Sequence, residues 1–472
     1  MGLNETPINT EILPRSEPAA NRRLLTGGLV LLAVAYALQI FSPLRINTDS
    51  YRLLSMAVSA SEGKGYLVDG RADQFPLGYP FMVKLLLQAG LGNSMALVVL
   101  NLLSLVVGFW AIHACCRSQW GSTTTLLALA LTASSWVMVK HITLPLSDIP
   151  YLGLSLLSLF FSWLFYRQQG HQKWCSLAAS GVFAYLGLQC RSIGVTIFPV
   201  IVVTVLLHRD ISPSVYGVFR HRRLLLGIVV TLVILFTLAL VGVRETGWYQ
   251  AQFLHSGSYF QSLVASVQGL GIGAFLFKNA YYRILELGEL FSNVPQSKVP
   301  QMLPIDCCIG LVAWVALLRG AWLLLRTRSV PPLTLYFLSY AALMFVWPFY
   351  DVRFWIPLLP VIAIILLRTI DDLQNRWPVL RLAFRVYAVW FFVLGGVALV
   401  VSTRMSLSGA EFSERYGDGT AKMTYRFAFH NGKPVDMNQV SETQVRLLRV
   451  FDPLARSRYG PEKNPAVGAS DR

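Results

Sequence analysis

The residues in this chain that could do chemistry are charged side chains placed where long apolar runs end. Asp49 stands in Asn47-Thr48-Asp49-Ser50-Tyr51, just after the first such run, and Asp148 stands in Leu146-Ser147-Asp148-Ile149-Pro150 at the start of another. Lys140 and His141 close a third, Arg191 divides two more, and Asp351 and Arg353 sit between a late pair. Ionisable residues at membrane depth are costly and tend to be kept for function. A carboxylate can take the proton of an attacking hydroxyl as general base. A second can hold a divalent cation or steer an acceptor, and Asp148 is the candidate for that role. Arg and Lys can bind a phosphate and stabilise it as a leaving group. Together these groups are what breaking a sugar–phosphate bond at a bilayer surface requires.

Each residue also has a plainer role. Asp49 can cap an amphipathic helix running from Ser50 to Ser61, a position that favours Asp. Asp148, two residues before Pro150, can cap the helix that follows. Arg191 can reach to headgroups, Arg353 can pair with its neighbour Asp351, and His141 alone reads as structural. Glu62 and Asp73 read as exposed loop carboxylates. The stretch Gln74-Phe75-Pro76-Leu77-Gly78-Tyr79-Pro80 is either one wall of a pocket or an ordinary turn. Its prolines restrict the chain, and Gly78 permits a tight bend.

The elements that must position these groups follow from composition. Of 472 residues, 54% are hydrophobic and only 14% charged, and the mean hydropathy is +0.53. Soluble domains carry about a quarter charged residues, so this is a membrane chain. Apolar runs near the required length of about 20 residues occur near 23–42, 94–115, 123–140, 149–166, 174–190, 192–208, 223–243, 305–325, 332–349, 354–369 and 385–402. They predict an all-α integral membrane protein, a polytopic bundle of about 11 transmembrane helices. Residues 1–20 are polar and hold Glu5, Glu11 and Glu17, and no small-residue cleavage site follows the first run. That run therefore reads as a retained span rather than a cleaved signal.

Net charge is +16. In a soluble chain that would suggest nucleic acid, but the excess lies in short loops beside apolar runs, as the positive-inside rule expects. Placing the N-terminus in the cytoplasm puts Arg22, Arg23, Arg117, Arg167, Lys173, Arg326 and Arg368 inside. Lys140, Arg191 and Arg353 are then in the short outer connections. Three polar segments face out: 43–93, 244–304 and the short tail 403–472. The first contains an apolar stretch from Tyr79 to Ala89, too short to span, which predicts an interfacial helix. Residues 258–277 look similar, and Arg456–Arg472 is polar enough to predict disorder. Cys115, Cys116, Cys175, Cys190, Cys307 and Cys308 show no metal or redox spacing and read as packing residues.

In order and topology, residues 20–370 resemble the GT-C glycosyltransferases, in particular the bacterial branch related to protein O-mannosyltransferases and the lipid A aminoarabinose transferase. Asp49 with Tyr51 resembles that family's first-loop acidic motif. Phe75-Pro76-Leu77-Gly78-Tyr79-Pro80 is similar to its P-P-G-Y-P turn, with Leu77 in place of the second Pro. Ser147-Asp148-Ile149-Pro150 resembles its second acidic site, and Arg191-Ser192-Ile193-Gly194 its R-x-x-G step. Asp351-Val352-Arg353-Phe354-Trp355-Ile356-Pro357 with Pro360 is similar to a late R-Y-x-x-P-x-x-P segment, with Phe354 where Tyr is common.

The resemblance implies a GT-C-like transmembrane domain over 1–402 in the bacterial plasma membrane. It implies a polyprenyl-phosphate-linked sugar donor, an inverting transfer on the extracytoplasmic face, and a lipid, glycan or protein acceptor. It makes Asp49 the base and puts Asp148 near the acceptor or a metal. Tyr51, Tyr79, Lys140, His141, Arg191, Asp351 and Arg353 are the candidate substrate contacts. Residues 403–472 are too short for the soluble domain some relatives carry. Three other classes share these features: a transporter or flippase of lipid-linked sugars, a polymerase of lipid-linked glycans, and a non-catalytic envelope scaffold. Broken helices and paired repeats would mark a transporter, and neither is plain in the sequence.

Overall fold

Backbone polar groups of apolar runs can be satisfied in lipid only within helices or closed barrels, and this chain forms helices. The computed structural model describes residues 19–73, 75–208, 259–327, 330–409, 421–429, 435–453 and 455. The predicted span 223–243, residues 244–258 and Arg456–Arg472 lie outside the described residues.

Helix α1 (Ala19–Leu38) leads through a buried, non-helical strap, 42–46, to α2 (Thr48–Ser61). A two-residue hairpin, Leu67–Val68 against Arg71–Ala72, turns at Asp69 and Gly70 with φ of 47° and 79°. Asp-Gly is the dipeptide that tolerates two positive φ values in such a turn. Then come α3 (Gly78–Gln88), α4 (Ser94–Ala133), α5 (Trp136–His141), α6 (Asp148–Arg167), α7 (Gln172–Cys190) and α8 (Ile197–Leu206). After the undescribed stretch follow α9 (Tyr259–Leu270), α10 (Ile272–Ser292), α11 (Leu303–Thr327), α12 (Pro331–Val346), α13 (Leu359–Arg376) and α14 (Val379–Leu407). Two short helices, α15 (Ala421–Phe429) and α16 (Glu442–Phe451), complete the described chain.

Every predicted span apart from 223–243 falls on a helix, as do the two helical stretches expected in the first outer loop. Among the described residues five helices are long and apolar enough to cross a membrane, or six if the bent pair α9–α10 is one span. The protein is thus an integral membrane protein, and a total of about 11 spans is not established. Part of the difference is local. α4 is a single 40-residue element, yet Gly121 inside it is non-helical, with φ 78°. The Asn101 amide donates to the carbonyls of Ile142 and Leu144 at 2.9 Å, so the chain has doubled back between them. The stretch 258–277, read as an interfacial helix, spans two helices that meet at 112° about Gly271, where φ is 77°.

The bundle is closed by small residues and hydroxyls, the means by which helices pack where no hydrophobic drive separates protein from lipid. A Cβ on Gly153 would sit 2.7 Å from the Ser104 carbonyl oxygen, and one on Gly108 equally close to Leu152, so α4 and α6 touch through glycine. Ser158 donates to the Ser180 carbonyl at 2.9 Å, and Ser162 and Ser180 hydroxyls lie 2.7 Å apart, joining α6 to α7. Tyr36 ties α1 to α4 by donating to the Ala133 carbonyl at 2.7 Å. Cys115, Cys116 and Cys190 are buried, in keeping with a packing role, whereas Cys175 and Cys308 are exposed.

Candidate active site

At one end of the bundle the start of α2, the start of α6, the end of α7 and the 3₁₀ segment Val352–Leu358 meet around a cavity of ≈ 270 Å³. Asp49, Asp148, Arg191, Asp351 and Arg353 all line it, together with Phe75 and Pro76. Residues more than 300 positions apart in the chain thus converge on one space.

Local rules explain how each is aimed. Asn47 caps α2: its side chain accepts from the Ser50 amide at 2.8 Å, while the Ser50 hydroxyl accepts from the Asn47 amide at 2.7 Å. Asp49 is therefore not the cap, as its sequence context also allowed. It is the second residue of the helix, where the positive end of the macrodipole favours a carboxylate. Asp148 opens α6, and Ser147 in the cap position makes no side-chain cap bond. Arg191 ends α7 in an extended conformation, φ −149° and ψ 134°. Gly194 allows the chain to fold back there, since a Cβ would meet Leu188 Cα at 2.7 Å. Asp351 caps the 3₁₀ segment by accepting from the Arg353 amide at 3.0 Å.

The electrostatics consist of two crossed pairs. Arg353 pairs with Asp49, and its Nε lies 3.0 Å from Asp351 Oδ2. Arg191 pairs with Asp148. Asp148 is almost fully buried, with a side-chain exposure of 3%, whereas Asp351 at 42% faces water. Both guanidiniums flank the Phe354 ring, Arg191 at 5.5 Å and Arg353 at 5.4 Å from its centroid. That ring occupies the Tyr position of the late motif. Without a hydroxyl it serves as a cation-π spacer between the pairs.

Not every expected contact reaches the cavity. Tyr51 points away, donating to Asp69 at 2.8 and 2.9 Å. Partial burial and that carboxylate push its phenol pKa up, so it stays a neutral donor. Lys140 lies over the Trp136 ring at 6.0 Å and does not line the cavity. His141 is buried with Nδ1 2.7 Å from the Val137 carbonyl, the structural role its isolation suggested. Tyr79 is fully buried, does not line the cavity, and its hydroxyl has no partner among the described residues. Gly78 serves close approach rather than a tight turn: a Cβ there would lie 2.6 Å from the Gln189 carbonyl oxygen.

Three groups escaped the sequence reading. Arg52, one helical turn after Asp49, lines the cavity, lies over Phe75 at 4.3 Å and grips Asp73 through two bonds of 2.7 Å. Its Asp49-x-x-Arg52 spacing on an amphipathic helix was the available signal. Asp73 and Glu62, expected as exposed carboxylates, each have side-chain exposures of 8% because arginines cover them. Behind the cavity, Arg283 and Glu286 form a buried pair at 2.8 Å. Arg283 donates to the Phe349 carbonyl at 2.6 Å and Trp355 donates to Glu286 at 2.8 Å, so the pair grips both ends of the loop that carries Asp351 and Arg353. The charges Arg283 and Glu286, three apart in an otherwise apolar stretch, were the signal there.

Asp148 was the candidate metal ligand. Its carboxylate is held by Arg191, and among the described residues no group of three or more His, Cys, Asp or Glu side chains is placed to hold a metal ion. A cation would first have to displace the guanidinium.

No family model matches the sequence, and no curated protein matches it. The chain is similar in overall shape to several solved structures, among them ArnT and an oligosaccharyltransferase. One is ArnT from Cupriavidus metallidurans in the apo state, at 15% identity and TM-score 0.49 over 93% of this chain and 91% of that one. The same protein bound to undecaprenyl phosphate aligns at 15% identity and TM-score 0.45, over 95% and 75%. The Archaeoglobus fulgidus oligosaccharyltransferase in complex with Zn and sulfate aligns at 12% identity and TM-score 0.46, over 92% of this chain and 58% of that one. At such values the likeness describes overall shape and carries no argument about activity.

Proposed function

We propose that this protein transfers a sugar from a polyprenyl-phosphate carrier to an acceptor at the extracytoplasmic face of a bacterial plasma membrane. The observation that supports this reading is the convergence of Asp49, Asp148, Arg191 and Arg353 on one cavity at the end of an apolar bundle. The ordered motifs at these positions, described above, point the same way. The excess of Lys and Arg in the loops at the other end supports placing this end outside.

The chemistry is a single displacement. The acceptor oxygen forms a bond to the anomeric carbon while the bond from that carbon to the phosphate oxygen breaks. The electron pair leaves with the phosphate, and the acceptor proton passes to Asp49. Inversion at the anomeric carbon follows from one displacement. The paired state of Asp49 matters here. A carboxylate held by a guanidinium is a poor base, because the pair favours the unprotonated form. An incoming phosphodiester offers Arg353 a partner with two free oxygens that it can grip through two bonds, and the monophosphate that leaves carries a further charge for it to stabilise. Exchange of Arg353 from Asp49 to phosphate then binds the donor and frees the base in one step. Arg191, held over Phe354 in its own pair with Asp148, supplies a further cation to the leaving group. Asp148 steers the acceptor, and Asp351 orients Arg353.

Reconstituted protein supplied with polyprenyl-phosphate sugars and an envelope lipid extract tests the reading. Wild-type protein forms a glycosylated product, and Asp49→Asn inserts normally but loses about 10²–10⁴ in rate, the usual worth of general base catalysis. Near wild-type transfer by Asp49→Asn, or lipid movement without transfer, would overturn it.

A further inference from the structure

The strap between α1 and α2 is buried yet belongs to no helix or sheet, so its backbone groups need partners from elsewhere. The C-terminal part of the chain supplies them. The Leu44 amide donates to Asp452 Oδ2 at 2.9 Å, and the Ile46 amide donates to the Tyr425 hydroxyl at 3.0 Å. That same hydroxyl donates to the Leu44 carbonyl. Arg45, 7% exposed, reaches Ser406 Oγ at 3.0 Å and the Ser402 carbonyl at 3.3 Å on α14. One residue beyond Ile46, Asn47 caps α2, and Asp49 follows at its second position.

The far end of α2 is held by the same segment. Arg446 of α16 pairs with Glu62, the residue that ends the helix. Thr443 donates to Asp69 at 3.2 Å, and Asp69 in turn accepts from Tyr51. Asp69 keeps a positive φ of 47°, unusual for a residue with a side chain, in the hairpin that presents its carboxylate. Helix α2 is thus bracketed by contacts from residues nearly 400 positions later, while Asp49 faces Arg353.

We infer that α15, α16 and Asp452 form a positioning element for the base: Tyr425 and Asp452 set the strap, and the strap sets where Asp49 stands against Arg353. This rests on the proposed transfer reaction for its catalytic consequence, though not for its structural one. Tyr425 and Asp452 bond the strap at Leu44 and Ile46, and they act on the base through these residues and the Asn47 cap.

The test uses the full chain in nanodiscs, with Tyr425→Phe, Asp452→Ala and Asp452→Asn, the last of which keeps an acceptor for the Leu44 amide. Amide hydrogen exchange of Thr48–Ser61 and of α13 is measured together with transfer kinetics. The expected result is at least tenfold faster exchange in Thr48–Ser61 for Tyr425→Phe and Asp452→Ala, with α13 unchanged. A kcat at least fivefold lower at unchanged donor KM accompanies it, and Asp452→Asn restores both. Unchanged exchange in α2, exchange that rises equally throughout the chain, or faster exchange with wild-type kcat overturns the inference. If wild-type protein transfers nothing, the transfer reading fails on its own, and the exchange data still decide whether this segment sets α2.

Discussion

Asp49→Asn should separate binding from turnover, because the same carboxylate that receives the proton also competes for the cation that holds the donor. In the structure Asp49 pairs with Arg353, with side-chain exposures of 24% and 15%. A phosphate entering beside Arg353 meets the Asp49 charge at close range. Two unit charges 4 Å apart interact by about 4 kcal/mol at the effective dielectric typical near a protein surface. Part of that is screened here by water reaching Asp49 and by Arg353 itself, leaving ~1–2 kcal/mol. Replacing Asp49 with the near-isosteric Asn removes the repulsion and releases Arg353. A polyprenyl monophosphate should then bind about 5–30-fold more tightly, at 1.4 kcal/mol per tenfold, while sugar transfer is lost. Titration of nanodisc-embedded wild type and variant with that lipid, followed by native mass spectrometry, gives the ratio. Raising the salt concentration should shrink the difference, since the gain is Coulombic. Weaker lipid binding by Asp49→Asn would refute the partner exchange and the placement of the phosphate at Arg353.

Other consequences can be checked with the same protein. Glu286→Leu leaves the buried Arg283 guanidinium without its partner and should destabilise the fold by about 3–5 kcal/mol. Arg283→Met in the same chain should recover most of that loss, which a thermal-unfolding double-mutant cycle would show. Gly194→Ala forces a methyl to within 2.7 Å of Leu188 backbone atoms, so overpacking should cost about 1–3 kcal/mol and displace Arg191. Its signature is a lower melting midpoint together with lower transfer. Tyr79→Phe removes a buried hydroxyl that has no partner. It should be neutral or stabilising by up to about 1 kcal/mol, with turnover unchanged; a large loss of activity would return Tyr79 to the site.

The apolar runs and the charges at their ends were legible in the sequence because both are local. Twenty consecutive apolar residues have one stable form in lipid, and a charge beside them is costly enough to stand out. Asp49, Asp148, Arg191, Asp351 and Arg353 were found that way, and all five line the cavity. Tyr51, Lys140, His141 and Tyr79 lie within a few residues of the cavity in sequence but do not line it, because which side of a helix faces the cavity is set by packing. The choice of cap shows the same limit: Asn47 and Asp49 are both good caps, and only the observed start of α2 decided between them.

Tertiary structure alone decided which charges pair. Nothing in the sequence separates an Arg353 bound to its neighbour Asp351 from one bound also to Asp49, since that choice depends on how α2 docks against the 3₁₀ segment. The covering of Asp73 by Arg52 and of Glu62 by Arg446 depends likewise on contacts between distant segments. The buried Arg283–Glu286 brace lies in a mostly apolar stretch, and its charges meet each other and a backbone carbonyl more than 60 residues away. Hydrophobic length is a property of one segment and can be read along the chain. Ion-pair partners and the position of a base are properties of how segments pack, and they exist only once the chain has folded.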